Sequence, residues 1–253
     1  MIVHISYWIH HIPRKPRSLE IWRKMSSNLP GKSTSSGKRH SRDVFHSYLV
    51  NGADFLGPLD MPVLKPTLSW PRKLVAFSDA MNKAWDDFDC TVHFFEDDFR
   101  IEPFWSNPRK YLPKLSKFDS VIGPDYSVCY DFPIPLKEWN AYRNQALSYW
   151  LQRSGVRVIP NVRCDPDKPD AYLAGIPKHS TIAIGARACI KRRRDRDSFV
   201  KSVDAAVLYL EPNNVVWYGS EAYGVADHVR SLGVDFRSYL SKGRGNLREH
   251  SNG

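Results

Sequence analysis

Between Leu74 and Leu240 the sequence repeats one device seven times, a run of five to seven residues that is β-rich and almost continuously apolar. The runs are "LVAFS" (74–78), "TVHFF" (91–95), "SVIGP" (120–124), "VRVIPN" (156–161), "TIAIG" (181–185), "VVWYG" (215–219) and "VDFRSYL" (234–240). Such runs suit parallel strands covered on both faces, where neither side of the pleat meets water. Helical patterns lie between them. In "LKEWNAYRNQALSYWLQRSG" (136–155), Leu136, Trp139, Leu147, Trp150 and Leu151 recur at helical spacing and Gly155 supplies the stop. "RDSFVKSVDAAVLYL" aligns Phe199, Val203, Ala206 and Leu210 ahead of Pro212, and "EAYGVADHVRSLG" ends on Gly233. This rhythm predicts an α/β fold of repeated βα units. It closes either as an irregular (β/α) barrel, with "MPVLK" (61–65) as an eighth strand, or as a doubly wound open parallel sheet.

A chain of 253 residues, 42% hydrophobic and 13% aromatic, is large enough to bury such a core. No apolar run reaches the 18 or so residues of a membrane span, so no membrane partner is expected. The opening "MIVHISYWIHHIPRKPR" does not read as a secretory signal, because its apolar part precedes the basic part and is broken by histidines. Cys90, Cys129, Cys164 and Cys189 form no C-x-x-C pair and no disulfide framework, which points to a reduced, cytoplasmic protein. Charge is uneven. Residues 1–42 hold nine Lys/Arg against the single acid Glu20, while the remainder holds 28 against 26. Four regions follow: a basic arm (1–42), an extended, proline-punctuated wrapping segment (43–73), an α/β domain (74–240) and a C-terminal tail (241–253). The arm suits a polyanion, since each phosphate contact releases counterions, or it is a solvated leader; the sequence does not set the oligomeric state.

In either α/β architecture ligands bind where the strands end, so residues just past each run are the candidates. They include Asp79, then Glu96, Asp97 and Asp98, then Asp125 with Asp131 shortly after, then Asn161, Arg163 and Asp165, then Gly185 and Arg187, and finally Tyr218. On the helix after the third run, Asn140, Arg143 and Asn144 share one face near that rim and could grip an anion. Paired carboxylates can split into a proton donor and a base or nucleophile, and three can hold magnesium through oxygen. Asp125, Asp97, Asp98 and Glu96 are therefore the candidate catalytic residues. Asp131, Asn140, Arg143, Asn144, Arg163 and Tyr218 are candidates for substrate binding, and Asp97, Asp98 and Asp125 for a metal. Singly, each acid is as readily explained by capping a turn or pairing with an arginine.

Other chemistries lack their signatures. Gly31-Lys32-Ser33 fails as a phosphate loop because Ser26 stands where the first glycine belongs. There is no Asp/Glu-x-Lys, no His-x-His, no H-E-x-x-H and no G-x-S-x-G. His93, inside a strand run, reads as a core histidine.

The stretches "VHFFEDDFRIEPFWSNPRKYLPKL" (92–115), "GPDYSVCYDFP" (123–133), "WNAYRNQALSYWLQRSGVRVIPNV" (139–162), "GIPKHSTIAIG" (175–185) and "EPNNVVWYG" (211–219) resemble, in order and spacing, the domain-of-unknown-function family 4417 of phages, plasmids and integrative elements. The resemblance marks Asp97, Asp98, Asp125, Tyr126, Asn140, Tyr142, Arg143, Gly185, Tyr218 and Gly219 as motif positions. The chain departs from the family at Arg163-Cys164-Asp165 and after Gly185. A mobile-element origin is implied, without a reaction. Taken with the acidic rim, the expectation is an enzyme acting on a nucleotide or nucleic acid at a glycosidic or phosphate bond, with Asp125 as base or nucleophile. The rival is a non-catalytic nucleic-acid-binding accessory protein of phage or plasmid replication or transfer, working through residues 1–42.

Overall fold

The computed structural model describes residues 43, 45–187 and 189–240; the basic arm and the C-terminal tail lie outside them. The described chain opens with a 3-10 turn (Ser47–Val50) and a short hairpin, β1 (Phe55–Leu56) with β2 (Met61–Pro62). It then alternates β3 (Leu74–Ala76), α1 (Phe77–Ala80), β4 (Thr91–His93), α2 (Asp98–Ser106), α3 (Pro108–Leu115), β5 (Ser120–Ile122) and α4 (Ile134–Arg153). The second half adds β6 (Val158–Ile159), α5 (Pro169–Tyr172), β7 (Thr181–Gly185), α6 (Arg193–Leu210), β8 (Asn214–Tyr218), α7 (Val225–Ser231) and β9 (Asp235–Tyr239). Each of the seven runs contains one of the strands β3–β9, and every pairing among these is parallel.

Spatial order follows chain order. β3-β4-β5-β6 form one sheet and β7-β8-β9 another. A single parallel bridge between Asn161 and Ala183 links the two at their junction. The last strand also reaches the segment ahead of β3, where Tyr239 donates its hydroxyl to the Pro71 carbonyl and Arg237 lies 4.4 Å over the Trp70 ring. All residues of β4, β5, β6, β7 and β8 are buried, which is why their sequences lack the polar alternation of a half-exposed sheet. Val92, Phe94, Val121 and Val158 pack against α2 and α4, and Ile182, Ile184, Val215 and Trp217 against α6 and α7. Side chains of the opposite parity, Phe95, Ile122, Ile159, Ala183, Val216 and Tyr218, meet in a third cluster on the inner face.

"MPVLK" is not a parallel strand. Only Met61–Pro62 is extended, and it folds back antiparallel on Phe55–Leu56. The turn between them holds Gly57 at φ 72 and Asp60 at φ 49; Met61 is buried in the core, and after Pro62 the chain leaves the hairpin to bury Leu64 there too. Helices α2 and α3, which the sequence reading does not include, are about two turns long and carry Pro103 and Pro113 inside them, punctuation that reads as loop. Among the described residues no helix is long and apolar enough to cross a membrane.

Candidate functional site

Because every parallel strand runs the same way, the loops that follow β4, β5, β6 and β7 gather at one end, and with the start of α6 they surround a cleft of about 470 Å³. Its floor is built by Asp125 and Arg163, 38 residues apart in sequence. Arg163 grips the carboxylate with two parallel hydrogen bonds, Nε to Oδ1 at 2.6 Å and Nη2 to Oδ2 at 2.7 Å. Asn161 adds a third, Nδ2 to Oδ1 at 2.7 Å. Only 8% of the Asp125 side chain and 15% of the Arg163 side chain are exposed. Burial opposes the charge on Arg163, but the neighbouring carboxylate outweighs it and holds the guanidinium firmly protonated. The third nitrogen, Nη1, donates to Cys189 Sγ at 3.4 Å, and Cys189 lines the cleft beside Arg163.

The loop carrying Asp125 is itself held by the polar stripe of α4. Tyr126 N–H donates to Asn144 Oδ1 (2.8 Å), and Asn144 Nδ2 returns a bond to the Tyr126 carbonyl (3.1 Å). Asn140 Nδ2 donates to the Ser127 carbonyl at 2.7 Å. Arg143 is buried against Tyr126, its guanidinium 3.7 Å from the ring centroid, and bonds Glu102 and Asn140. Asn140, Arg143 and Asn144 therefore face the back of the Asp125 loop and do not line the cleft.

The other sequence candidates separate. Glu96 lines the cleft but accepts from the Ser78 backbone N–H (2.8 Å) and hydroxyl (2.5 Å), anchoring the first turn of α1. Asp97 lines it with a side chain 59% exposed, its nearest cation Arg100 at 4.0 Å. Asp98 turns away and accepts both the backbone N–H (3.2 Å) and the hydroxyl (3.1 Å) of Ser127. Burial raises its pKa, the Ser127 bonds oppose that, and the Asp125 charge adds to it. Asp131 is exposed at the cleft edge. Asp79 stands in α1 and Asp165 pairs with Lys137. Tyr218 lies inside the inner cluster, stacked on Phe95 at 5.0 Å. Asp97, Asp98 and Asp125 thus face three different sets of partners, and among the described residues no three His, Cys, Asp or Glu side chains gather to hold a metal ion.

Arg187, just past the fifth run, and Arg192, in the basic cluster 191–196, both line the cleft, although neither is among the six substrate-binding candidates. Arg187 donates one arm to the Phe95 carbonyl at 3.1 Å. It stands two residues past Gly185, so the strand-end rule that selected Asp125 also reaches it. At Gly185 itself a methyl group would lie 2.4 Å from the Phe95 ring and 3.1 Å from Arg163 Nη2, so only glycine lets the strand end pass behind the ion pair.

His93 lies beneath the cleft, 3% exposed, between Phe95 and Tyr218. The Phe95 N–H donates to its Nδ1 at 3.2 Å, which leaves the proton on Nε2. Burial, helped by the Arg187 charge, drives its pKa down to about 3. A folded-state pKa below the unfolded value means stability present above about pH 6.5 and lost progressively as the pH falls toward 3. Melting temperatures of wild type and His93→Asn between pH 7 and 4 should fall with different slopes, the non-titrating variant losing less on acidification; parallel curves would remove His93 from that role.

Residues 53–236 match the model of a domain of unknown function, DUF4417. Among curated proteins the chain is 28% identical over 166 residues to the Gene 1 protein of Mycobacterium phage D29, covering 65% of this chain and 62% of that one. It is also 28% identical over 162 residues to the Gene 1 protein of Mycobacterium phage L5, covering 63% of this chain and 71% of that one. The chain thus spans less than two thirds of the D29 protein. No solved structure matches it.

Proposed function

The chain belongs to the DUF4417 family, its relatives are phage proteins, and we propose that its strand-end cleft binds a nucleotide and performs acid–base chemistry on it at a glycosidic or phosphate bond. The observation that carries this reading is the buried Asp125–Arg163 pair on the cleft floor. With both oxygens of Asp125 occupied, its task is to aim Arg163, and Arg163 becomes the grip for an anionic group. Arg187 and Arg192 add two cations at the edge. Asp97 and Asp131, the solvent-facing acids, remain to accept protons from a hydroxyl or exocyclic amine. The lining carries five acids, the fifth being Asp195, against three arginines, so an anion is held here by aimed hydrogen bonds and not by diffuse attraction. A compact ligand with both phosphate oxygens and donor groups does fit that mixture.

Sequential neighbours β3 to β9, the Asn161–Ala183 bridge and the Tyr239–Pro71 contact support reading the strands as one irregular (β/α) barrel with this cleft at its mouth. The four free thiols fit a reducing cytoplasm.

Titration calorimetry of the full chain against nucleoside 5′-monophosphates and the matching nucleosides tests the proposal. Wild type should bind a monophosphate, and Arg187→Ala with Arg192→Ala should weaken it about ten-fold or more, the size of one or two charge-assisted bonds. A folded protein that binds no nucleotide would sink it.

A second reading, a non-catalytic nucleic-acid-binding accessory protein, is favoured by one observation. Lys191, Arg192, Arg193 and Arg194 crowd the start of α6, the positive end of its dipole, where Asp195 in the first turn and Asp197, 3.9 Å from Arg193, offset only part of the repulsion.

A further inference from the structure

The cleft does not end at its own rim. A second hollow of about 610 Å³ adjoins it, and the two share Val128, Tyr130, Cys164, Ser198 and Ser202 as lining. The two are neighbours, with Tyr130 in the wall of both and residues of the first turns of α6 lining each. Each has the volume of a whole small-molecule site, roughly 300–1,000 Å³, so together they offer more room than a single nucleotide needs. They also differ in charge. The first has more acids than cations, whereas the second sets Lys137, Arg193, Arg194 and Lys201 against Asp165, Asp167 and Asp197. In the wall that the two share, Tyr130 is 38% exposed and the Arg194 guanidinium lies over its ring, 4.8 Å from the centroid. A part-exposed aromatic ring with an arginine upon it, next to a lining that has one cation more than it has acids, resembles the surfaces on which proteins hold unpaired bases while tracking the backbone.

Resting on the nucleotide reading of the cleft, we propose that its substrate is a single-stranded oligonucleotide, with one nucleotide in the cleft, the neighbouring base on Tyr130, and the flanking phosphate in the hollow formed by Arg193, Arg194 and Lys201. A duplex is disfavoured because its stacked, paired bases offer Tyr130 no free face.

The test uses the full chain and fluorescence anisotropy of a labelled decathymidylate, the matching RNA strand and a duplex of equal length, beside calorimetry with thymidine 5′-monophosphate. The single strands should bind at least ten-fold tighter than both the monophosphate and the duplex. Arg194→Glu with Lys201→Glu, two exposed positions of the second hollow, should remove that advantage and leave monophosphate affinity unchanged. Tyr130→Ala should weaken strand binding about ten-fold, the worth of one stacked base, and Tyr130→Phe should restore it. Equal affinity for monophosphate and strand overturns the inference and leaves the cleft reading intact. Strand binding indifferent to all three variants overturns it too, since the strand then sits elsewhere. Failure of both ligands removes the cleft reading, and this inference falls with it.

Discussion

Asp125→Ala should lower the stability of the folded chain by about 3–5 kcal/mol, because it strips the partner from a guanidinium that has left water. Arg163 makes two of its hydrogen bonds to that carboxylate, so the variant orphans its Nε and Nη2 and leaves Asn161 Nδ2 with the Pro124 carbonyl alone. Chemical denaturation of wild type and variant measures the difference. Asp125→Asn should fall between them, keeping one acceptor oxygen but losing the charge. If Arg163 serves as the anion grip, Asp125→Asn should also lose nucleotide affinity at a temperature where it remains folded. A loss of stability without a loss of affinity would make the pair a scaffold only. The variant Asp125→Leu with Arg163→Met separates the terms, since replacing a buried ion pair by apolar groups is often near neutral for stability while removing the grip altogether.

Asn144→Leu is the second large effect. The Asn144 amide satisfies both the N–H and the carbonyl of Tyr126, and these groups are buried between α2 and α4. An isosteric apolar side chain leaves both without partners, at about 1–3 kcal/mol for each. The injury also reaches the cleft, because Tyr126 follows Asp125 directly and the loop loses its anchor. Hydrogen exchange should show faster opening at Tyr126 and Ser127 than in wild type, alongside the lower melting temperature. Unchanged protection there would mean that Asn140 and Arg143 hold the loop by themselves.

The candidate site was legible in part. Asp125, Arg163, Asp97 and Asp131 stand where the strand-end rule placed them, around one cleft. Asn140, Arg143 and Asn144 share a helical face, as their spacing requires, but that face looks toward the Asp125 loop. Spacing sets which residues lie together on a helix and says nothing of what is packed opposite. Glu96 and Asp98 follow the same strand as Asp97, yet one anchors α1 and the other Ser127, since successive residues leaving a strand point in different directions.

What the sequence determined by itself was the βα rhythm, the parallel sense of seven strands and the end of them at which polar groups collect. These follow from local periodicity and the burial of short apolar runs. Pairings across large sequence separation came only with the tertiary structure: Asp125 with Arg163, Asn161 with Ala183, and Tyr130 with the α6 residues that line the same two hollows. Each depends on how far apart the packed helices hold the strand ends, a distance set by the volume of side chains from both halves of the chain at once.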